Sequence, residues 1–504
     1  MPEKSRPVSF QDIPEAFVSH RGIARQVSRA ARTGKLRKLA SRLYTRNLVD
    51  APEAIVRRNL WSIVAGYFPG ALIADRTALE NAPAPDGSIC LITERGREVR
   101  LPGITLRPRR GLPPLAADRH FLSGLFLTST ARAYLENMRP TRARGGHVRR
   151  TLDRVELEER LETLVRRSGE AGAGRLRDEI RALAPDLGLV PEARALDALV
   201  GALLGTREAE LHAPAAVARR RGVPHDPDRV ALFEALAAAL RDFPPLFRLA
   251  PERGAAEQAT LAFFEAYFSN FIEGTEFEVS EAADIVFRGV IPEERPQDAH
   301  DVVGTWRIVS DDGELKRTPT SSASLETLLR TRHATVMESR TEQRPGEFKL
   351  AENRAGLTVF VAPDLVRGTL AQGFDLYRSL ETPFQRAVFM MFVVAEVHPF
   401  ADGNGRTARI MMNAELVRAG EERIVIPTVY RGNYLTALKA LSQSGRPEPL
   451  IRMLDYAQRW TAAVDWRSVR ETTEQLAALN AFLDPLEAEA EGRRLRMPEA
   501  QPGA

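Results

Sequence analysis

Residues 398–409 read His-Pro-Phe-Ala-Asp-Gly-Asn-Gly-Arg-Thr-Ala-Arg. They combine an imidazole, a carboxylate, a glycine-rich turn and two guanidinium groups. The apolar run that precedes them, residues 382–397, predicts a helix that is buried on most sides. Apolar residues spaced by three and four predict a second helix, from near Gly405 to Val417. The stretch therefore predicts a loop that ends one helix and opens the next.

The predicted loop has the features of an anion site. Backbone N–H groups at a helix N-terminus bind phosphate oxygens, and Gly403 and Gly405 let the backbone approach closely because they lack a Cβ atom. Arg406 and Arg409 are three positions apart, so they share one helix face. Both guanidinium groups are therefore expected to bind one phosphate chain.

Two further side chains complete the predicted chemistry. Asp402 offers the hard oxygen ligand that suits a Mg²⁺ ion bridging phosphates. His398 stands at the mouth of the loop and is the candidate for accepting a proton from an attacking hydroxyl. The alternative is a core histidine followed by an ordinary polar turn. A zinc site is disfavoured because no third ligand stands at metal-binding spacing, and a Walker loop is excluded because its pattern does not occur.

The stretch resembles the signature of the Fic family, H-x-F-x-[D/E]-G-N-G-R-x-x-R, at every specified position. Fic proteins are helical, and most transfer AMP from ATP to a Ser, Thr or Tyr hydroxyl of another protein. The resemblance implies that His398 is the general base and that Asp402 holds Mg²⁺. It also implies roles in holding the triphosphate or anchoring the loop for Gly403, Asn404, Gly405, Arg406, Arg409 and Phe400, the last being the buried anchor.

Residues 269–274, Ser-Asn-Phe-Ile-Glu-Gly, resemble the inhibitory helix motif [S/T]-x-x-x-E-[G/N] of a large Fic subgroup. The resemblance assigns Ser269, Glu273 and Gly274 to that motif. It implies that Glu273 pairs with Arg409 and deprives the γ-phosphate of its partner. The alternative is a helix that ends in an ordinary capping or surface glutamate.

A third similarity lies between these two motifs. Residues 344–349, followed by residues 358–363, resemble the family segment that leads into a hairpin and clamps an extended stretch of the target. Lys349 stands where the family usually has arginine, and the hairpin looks short. A surface hairpin without a partner is the alternative. Tyr430, Asn433 and Tyr434 lie where the family often contacts adenine or the target.

Length and composition restrict the remaining possibilities. A chain of 504 residues with 44% hydrophobic and 27% charged residues is expected to hold two to four globular domains. Its single cysteine, Cys90, excludes an intramolecular disulfide and favours a reducing compartment. Residues 1–17 do not read as a signal peptide, and no apolar segment is long enough to span a membrane. The expected location is therefore the cytoplasm.

Residues 21–49 contain basic side chains and no acidic ones, which is an electrostatic pattern typical of nucleic-acid binding. A helix over residues 23–33, closed by Gly34, and strands over 36–39 and 42–44 follow the order of a winged helix-turn-helix. Residues 1–115 resemble AbiEi-type antitoxins and regulators. The resemblance implies contacts with double-stranded DNA from Arg25, Gln26, Ser28 and Arg29 in the major groove and from Arg37 and Lys38 on phosphates. A solvated basic face is the alternative.

The sequence thus predicts a mainly α multidomain protein. Its predicted parts are a winged helix module with following strands (1–115), a helical middle region that is a scaffold or homodimerisation element (116–250), a Fic domain with a short β-hairpin flap (251–465), and a C-terminal helix with a flexible tail (466–504). The expected function is self-inhibited protein adenylylation with ATP and Mg²⁺ and a DNA-binding N-terminus. Three other chemistries on the same site stay open, namely UMP transfer, phosphate transfer and AMP removal. A transcriptional regulator of toxin–antitoxin type that senses nucleotide is the rival of another class.

Overall fold

The computed structural model describes residues 13–94, 96–143, 145–244, 247–356 and 358–498. The chain divides into two compact units, Met1–Arg221 and Gly222–Ala504. Within the described residues, no helix combines the length and the apolar character needed to cross a membrane.

The first unit begins with a small sheet packed on one helix. Strands β1 (Ala16–Val18), β2 (Arg37–Ala40) and β3 (Leu43–Thr45) are antiparallel in the order β1-β3-β2, and helix α1 (Ala24–Arg32) packs on them through Val27 and Ala30. The predicted helix and basic hairpin are therefore present. In the described residues one helix precedes the hairpin, so the winged helix assignment stays a prediction.

A six-stranded sheet follows in the order β6-β7-β5-β4-β9-β8. Its elements, with the intervening helices, are α2 (Pro52–Arg58), α3 (Leu60–Tyr67), β4 (Leu72–Ile73), α4 (Asp75–Glu80), β5 (Ser88–Ile92), β6 (Val99–Leu101), β7 (Ile104–Arg109), β8 (Arg119–His120) and β9 (Phe126–Leu127). Strand β5 is buried at every residue, because α4 covers one part of the sheet and β5 pairs on both edges.

Helices complete the first unit. They are α5 (Thr130–Asn137), α6 (Arg154–Leu187, broken at Gly169), α7 (Val190–Leu203) and α8 (Pro214–Arg220). The predicted boundary at residue 115 differs from this architecture, because β8 and β9 come later and pair within the same sheet. The predicted boundary at residue 250 differs as well, since residues 227–242 pack in the core of the second unit through Phe233 and Leu236.

In the described residues, the second unit is helical apart from one hairpin and an isolated bridge between Leu249 and Glu421. Its elements are α9 (Pro227–Asp242), α10 (Ala255–Ile272), α11 (Val279–Arg288), α12 (Pro296–Val309), α13 (Asp312–Leu315), α14 (Ser322–Val336), β10 (Arg354–Ala355), β11 (Thr358–Val359), α15 (Val366–Tyr377), α16 (Pro383–Val397), α17 (Asn404–Arg418), α18 (Arg431–Ser444), α19 (Glu448–Ala463), α20 (Val469–Ala478) and α21 (Pro485–Ala490).

Helix α16 lies at the centre of this unit. Thr382 caps it through its side chain, and the aromatic rings of Phe389 and Phe392 pack edge-on against Phe233 of α9. Because α16 is enclosed on nearly all sides, its C-terminal end and the loop that follows are held on a rigid support.

The end of the chain is more ordered than the sequence suggests. Leu495 is buried, and the Trp460 Nε1–H group donates to the backbone oxygen of Arg496 at 3.1 Å. Leu495 and Arg496, in the predicted flexible tail, therefore contact α19. Residues 1–12 and 499–504, which include parts of the predicted N-terminal module and tail, lie outside the described residues.

Candidate active site

The loop between α16 and α17 is a sharp turn built on two left-handed residues. His398 ends α16 at φ 51° and ψ 60°, and Gly403 precedes α17 at φ 71°. A Cβ atom on Gly403 would lie 2.7 Å from the sulfur of Met337, so glycine is required there for both backbone conformation and space. The loop delivers the N-terminus of α17, with its unpaired N–H groups, beside His398.

Asn404 and Phe400 hold the loop closed. The Asn404 side chain accepts from the Phe400 N–H group at 2.9 Å and donates to the Phe400 carbonyl at 2.9 Å. Phe400 is fully buried, as expected of an anchor, and stacks on His333 with 3.7 Å between ring centroids. The Asn404 side chain is thus committed to the loop backbone, and only its backbone N–H remains for the predicted anion-binding role.

His333 is a supporting residue that the sequence did not reveal. Its Nδ1 accepts from the Gly346 N–H group at 2.9 Å, so Nε2 carries the proton and donates to the Asp402 carbonyl at 2.9 Å. Burial lowers the pKa of His333 to about 4, which keeps the ring neutral. The ring stack with Phe400 and the two hydrogen bonds of His333 therefore hold the loop between α16 and α17 in place.

His398 presents one free nitrogen. Its Nδ1 lies 3.1 Å from the Ala395 carbonyl and donates to it, so Nε2 is the unprotonated atom of the neutral ring. The ring of Phe360 stacks on the imidazole at 3.7 Å between centroids and 4° between planes. Burial is the main cause that lowers the pKa of His398 to about 4. The histidine is therefore a neutral, oriented base.

Arg409 is bound by the end of α10. Its Nη2 donates to a Glu273 carboxylate oxygen at 2.7 Å and to the Ser269 carbonyl at 2.7 Å, and its Nε donates to the Ser269 hydroxyl at 2.9 Å. The contact between Glu273 and Arg409 is the one expected from the sequence. A Cβ atom on Gly405 would lie 2.1 Å from the same carboxylate, so Glu273 also covers the first turn of α17.

Arg406 faces a different partner. Its Nη1 lies 2.7 Å from a carboxylate oxygen of Asp301, and both side chains are buried. Asp301 was not anticipated from the sequence, because it lies far from the motif on α12. The buried Arg406 Nε has no hydrogen-bond partner, whereas the predicted role pointed the whole guanidinium group at phosphate. In this structure Arg406 anchors α17 to α12.

Asp402 is the acidic group that stays open. Its side chain is half exposed, one oxygen accepts from the Gly403 N–H group at 2.6 Å, and the other lies 4.0 Å from Arg406. Within the described ranges no group of three metal-ligating side chains occurs. A single exposed carboxylate fits a Mg²⁺ ion that takes its other ligands from phosphates and water, and it does not fit an all-protein metal cage.

Comparison with known proteins agrees with this geometry. The sequence profile of the Fic/DOC family matches residues 323–416, which span α14 to α17. This chain contains a Fic/DOC domain. The chain is similar to protein adenylyltransferase fic-1 of Caenorhabditis briggsae, with 27% identity over 196 residues, or 38% of each chain.

A second relative is protein adenylyltransferase Fic of Drosophila persimilis, which is 35% identical over 115 residues, or 22% of each chain. Among solved structures, a Fic-1 fragment of C. elegans matches with 18% identity and a TM-score of 0.35, covering 64% of this chain and 87% of that one. The chain spans well under half the length of the curated relatives that it matches, 38% in the nematode protein.

Residues 349–353 of the Fic/DOC domain are hydrogen-bonded to the loop between α16 and α17. Lys349 pairs its backbone N–H with the Pro399 carbonyl at 2.9 Å, and its Nζ donates to the Asn353 side chain at 2.7 Å. Asn353 in turn donates to the Phe400 carbonyl at 2.9 Å. Burial lowers the pKa of Lys349 to about 8. Lys349 is therefore a structural residue of the loop.

The hairpin of the Fic/DOC domain is short, as the sequence suggested. Strands β10 and β11 pair through two residues each, Arg354 with Val359 and Ala355 with Thr358. Phe360, which covers His398, follows β11 directly, and its N–H group donates to the Asn353 carbonyl at 3.1 Å. The flap, defined as residues 354–360 without the undescribed residue 357, thus reaches the candidate base.

The three residues expected near adenine or the target have different settings. Tyr434 is buried, and its ring lies 5.9 Å from the Arg409 guanidinium carbon. Tyr430 is half-buried against Tyr456, while Asn433 is exposed on α18. Tyr434 therefore supports Arg409 from behind, and Asn433 is the member of the set open to a ligand.

The side chains that the sequence assigned to DNA contacts differ in exposure. Arg25, Ser28 and Arg29 are exposed on α1, and Gln26 is half-buried. Lys38 is exposed on β2, whereas Arg37 donates to the backbone oxygen of Asp50 at 3.1 Å. Arg25, Ser28, Arg29 and Lys38 are therefore open to solvent, whereas Arg37 is hydrogen-bonded within the protein.

Proposed function

We propose that the chain is a self-inhibited protein adenylyltransferase that transfers AMP from Mg²⁺-ATP to a Ser, Thr or Tyr hydroxyl of a target protein. The observation that carries the proposal is the unprotonated His398 Nε2, held beside the N-terminus of α17 and its phosphate-binding turn. The adenylyltransferase names of the relatives support the same reaction.

The reaction divides into tasks for these residues. The target hydroxyl oxygen attacks the α-phosphorus, the bond from that phosphorus to the bridging oxygen breaks, and pyrophosphate leaves. His398 Nε2 takes the hydroxyl proton. The N–H groups of the turn and the Arg409 guanidinium hold the phosphate chain in line. A Mg²⁺ ion, held by Asp402 and the phosphates, would neutralise the charge that develops on pyrophosphate.

The flap is the proposed docking strand for the target. Strand β11 pairs on one side with β10, and the sheet in the described residues has no third strand. An extended segment of the target can add to such an edge through main-chain hydrogen bonds. Because Phe360 follows β11 directly, the added segment would bring its hydroxyl to His398.

Glu273 is proposed to inhibit the enzyme by occupying Arg409. The carboxylate lies over the first turn of α17, where a γ-phosphate would compete for the same guanidinium group. ATP bound without that partner is turned away from the in-line geometry, and transfer is slow.

One labelling experiment separates the candidate chemistries. The Glu273→Gly variant is incubated in cell lysate with ATP labelled on the α-phosphate, ATP labelled on the γ-phosphate, or labelled UTP, each with and without a chelator. Protein labelling from α-labelled ATP alone, abolished by the chelator, is the expected result. Labelling from γ-labelled ATP or from UTP instead would assign phosphate or UMP transfer, and release of AMP from labelled protein would assign removal.

The pH dependence follows from the low pKa of His398. A histidine with the ordinary pKa of 6.5 is half protonated at pH 6.5. Because the pKa of His398 is about 4, its ring stays neutral well below pH 6.5. We expect kcat/KM of the Glu273→Gly variant to stay level from pH 8 to roughly 5.5 and to fall only as pH approaches the folded-state pKa. Circular dichroism at each pH checks that the fold persists. A fall in kcat/KM centred near 6.5 would contradict this setting of the base.

DNA binding by the first unit is a second proposed function. It rests on the exposed basic residues of α1 and β2, whose neighbours in residues 21–49 include no acid. A row of this kind neutralises phosphates and releases counterions.

We expect the full chain to bind duplex DNA with an affinity that falls about 10²-fold between roughly 50 and 200 mM salt, if about four phosphates are neutralised. Arg25→Ala with Arg29→Ala should remove most sequence preference, and Lys38→Ala should weaken binding to all sequences equally. Arg194→Ala, an exposed arginine outside the row, is the matched control. Fluorescence anisotropy with specific and random duplexes measures these effects, and absence of binding at low salt would leave a solvated basic face.

A further inference from the structure

The second unit has a groove of about 1050 Å³ beside the end of α10. Its floor is apolar and includes Tyr267 and Phe271 of α10, Val279 of α11, Val469 of α20 and Phe482. Phe271, Val279, Val469 and Phe482 are only half-buried, so apolar surface remains open to a ligand. None of these residues belongs to the candidate active site.

The rim of the groove is mainly acidic, so we call it the acidic groove. It carries four exposed glutamates and one arginine, namely Glu276, Glu278, Glu281, Glu474 and Arg470. The ion pairs of the described residues include none of these five side chains. The rim has four carboxylates and one guanidinium, and the nearby Arg295, which lies over Phe277, is paired with Asp298, so the net charge at the groove is negative. An apolar floor with such a rim is complementary to a cationic segment that carries large apolar side chains.

Residues that precede and follow Glu273 in the sequence line the acidic groove. Phe271 stands two positions before this glutamate, and Glu276 to Glu278 begin three positions after it. Between them the chain folds back on itself, with the Gly274 N–H donating to the Phe271 carbonyl at 3.0 Å and with Gly274 at φ 93°. A ligand that contacts Phe271 and forms an ion pair with Glu276 therefore displaces the turn at residues 271–274, which positions the Glu273 carboxylate.

We propose that the acidic groove binds a cationic peptide segment of a partner protein, and that this binding releases Glu273 from Arg409. This inference rests on the proposed self-inhibition. The Glu273 side chain is about one-third exposed (32%), whereas Ser269, Asn270 and Ile272 of α10 are buried, so the Glu273 carboxylate is the group near this turn that can move most easily. Strain on the turn is therefore relieved at Glu273 first.

The binding test uses the full chain and a short fluorescein-labelled peptide that alternates lysine pairs with single phenylalanines. Its twin carries glutamate in place of lysine. The lysine peptide should bind with an affinity that falls as salt rises, and the glutamate twin should not bind. Glu276→Lys with Glu281→Lys should weaken binding by about tenfold or more. Glu159→Lys with Glu448→Lys makes the same change of charge at exposed sites elsewhere and should leave binding unchanged.

The activity test uses the same peptide. It should raise transfer by the native chain about tenfold and leave the Glu273→Gly variant unchanged, because that variant has no carboxylate to release. Equal binding of both peptides, or binding without a rise in transfer, would overturn the proposal. Self-association of the chain that the peptide displaces would make a second copy the occupant and would also overturn it. If the Glu273→Gly variant itself transfers nothing, the proposed function fails, while the binding titration still decides the groove.

Discussion

Replacing Glu273 with glycine is expected to raise transfer by about 10²-fold, because misplacement of a reacting group by about 1 Å costs that much in rate. In the native chain the Nε and Nη2 groups of Arg409 donate to Ser269 and Glu273. Removing the carboxylate frees Nη2 for the γ-phosphate and clears the space over Gly405. Initial rates of AMP incorporation, measured for both proteins at saturating ATP, give the ratio.

Two companion variants make this prediction specific. Glu273→Gln keeps the size of the side chain but loses its charge, so it should activate less than glycine does. Glu273→Gly with Arg409→Ala should return to the native rate or below, since the freed guanidinium is the source of the gain. If the double variant keeps the full gain, the contact between α10 and α17 is structural and the self-inhibition proposal is wrong.

Replacing His398 with alanine is expected to lower transfer by about 10²–10⁴-fold, the usual contribution of a general base. The comparison is made in the Glu273→Gly background, where the starting rate is high enough to measure the loss. ATP affinity should change little, because the proposed reaction places His398 at the target hydroxyl and not at the phosphates. Equilibrium binding of a fluorescent ATP analogue measures that second quantity.

The matched control for this variant is His300→Ala, which removes an exposed imidazole elsewhere in the second unit. It should keep both rate and affinity. Near-normal transfer by the His398→Ala chain would mean that another group accepts the proton. A large loss of ATP affinity would mean that His398 helps to hold the nucleotide.

The sequence predicted the parts of the site that are local. The helices before and after the loop are confirmed within one residue or two, because the apolar pattern and the Asp-Gly-Asn-Gly turn specify them directly. The contact between Glu273 and Arg409 came from resemblance to a family, since nothing in the spacing of two residues so far apart predicts it.

The supporting residues could not be predicted, because their roles depend on packing between distant segments. Asp301, His333 and Phe360 have no local signal that separates them from other residues of their kind. Asn404 was assigned to anion binding by its place in the motif, yet both polar groups of its side chain are hydrogen-bonded to the Phe400 backbone. In the first unit, strands of two residues such as β8 and β9 are too short to show periodicity, so the predicted boundary at residue 115 divided one sheet.

The stacking of Phe360 on His398 affects how easily water can reach the imidazole and react with a bound nucleotide. One face of the imidazole is covered by the ring of Phe360, which belongs to the same flap as strand β11. Solvent therefore has limited access to the base, whereas a segment added to β11 arrives beside its uncovered nitrogen. If the proposed reaction is correct, we therefore expect hydrolysis of ATP by water to stay slow in the Glu273→Gly variant.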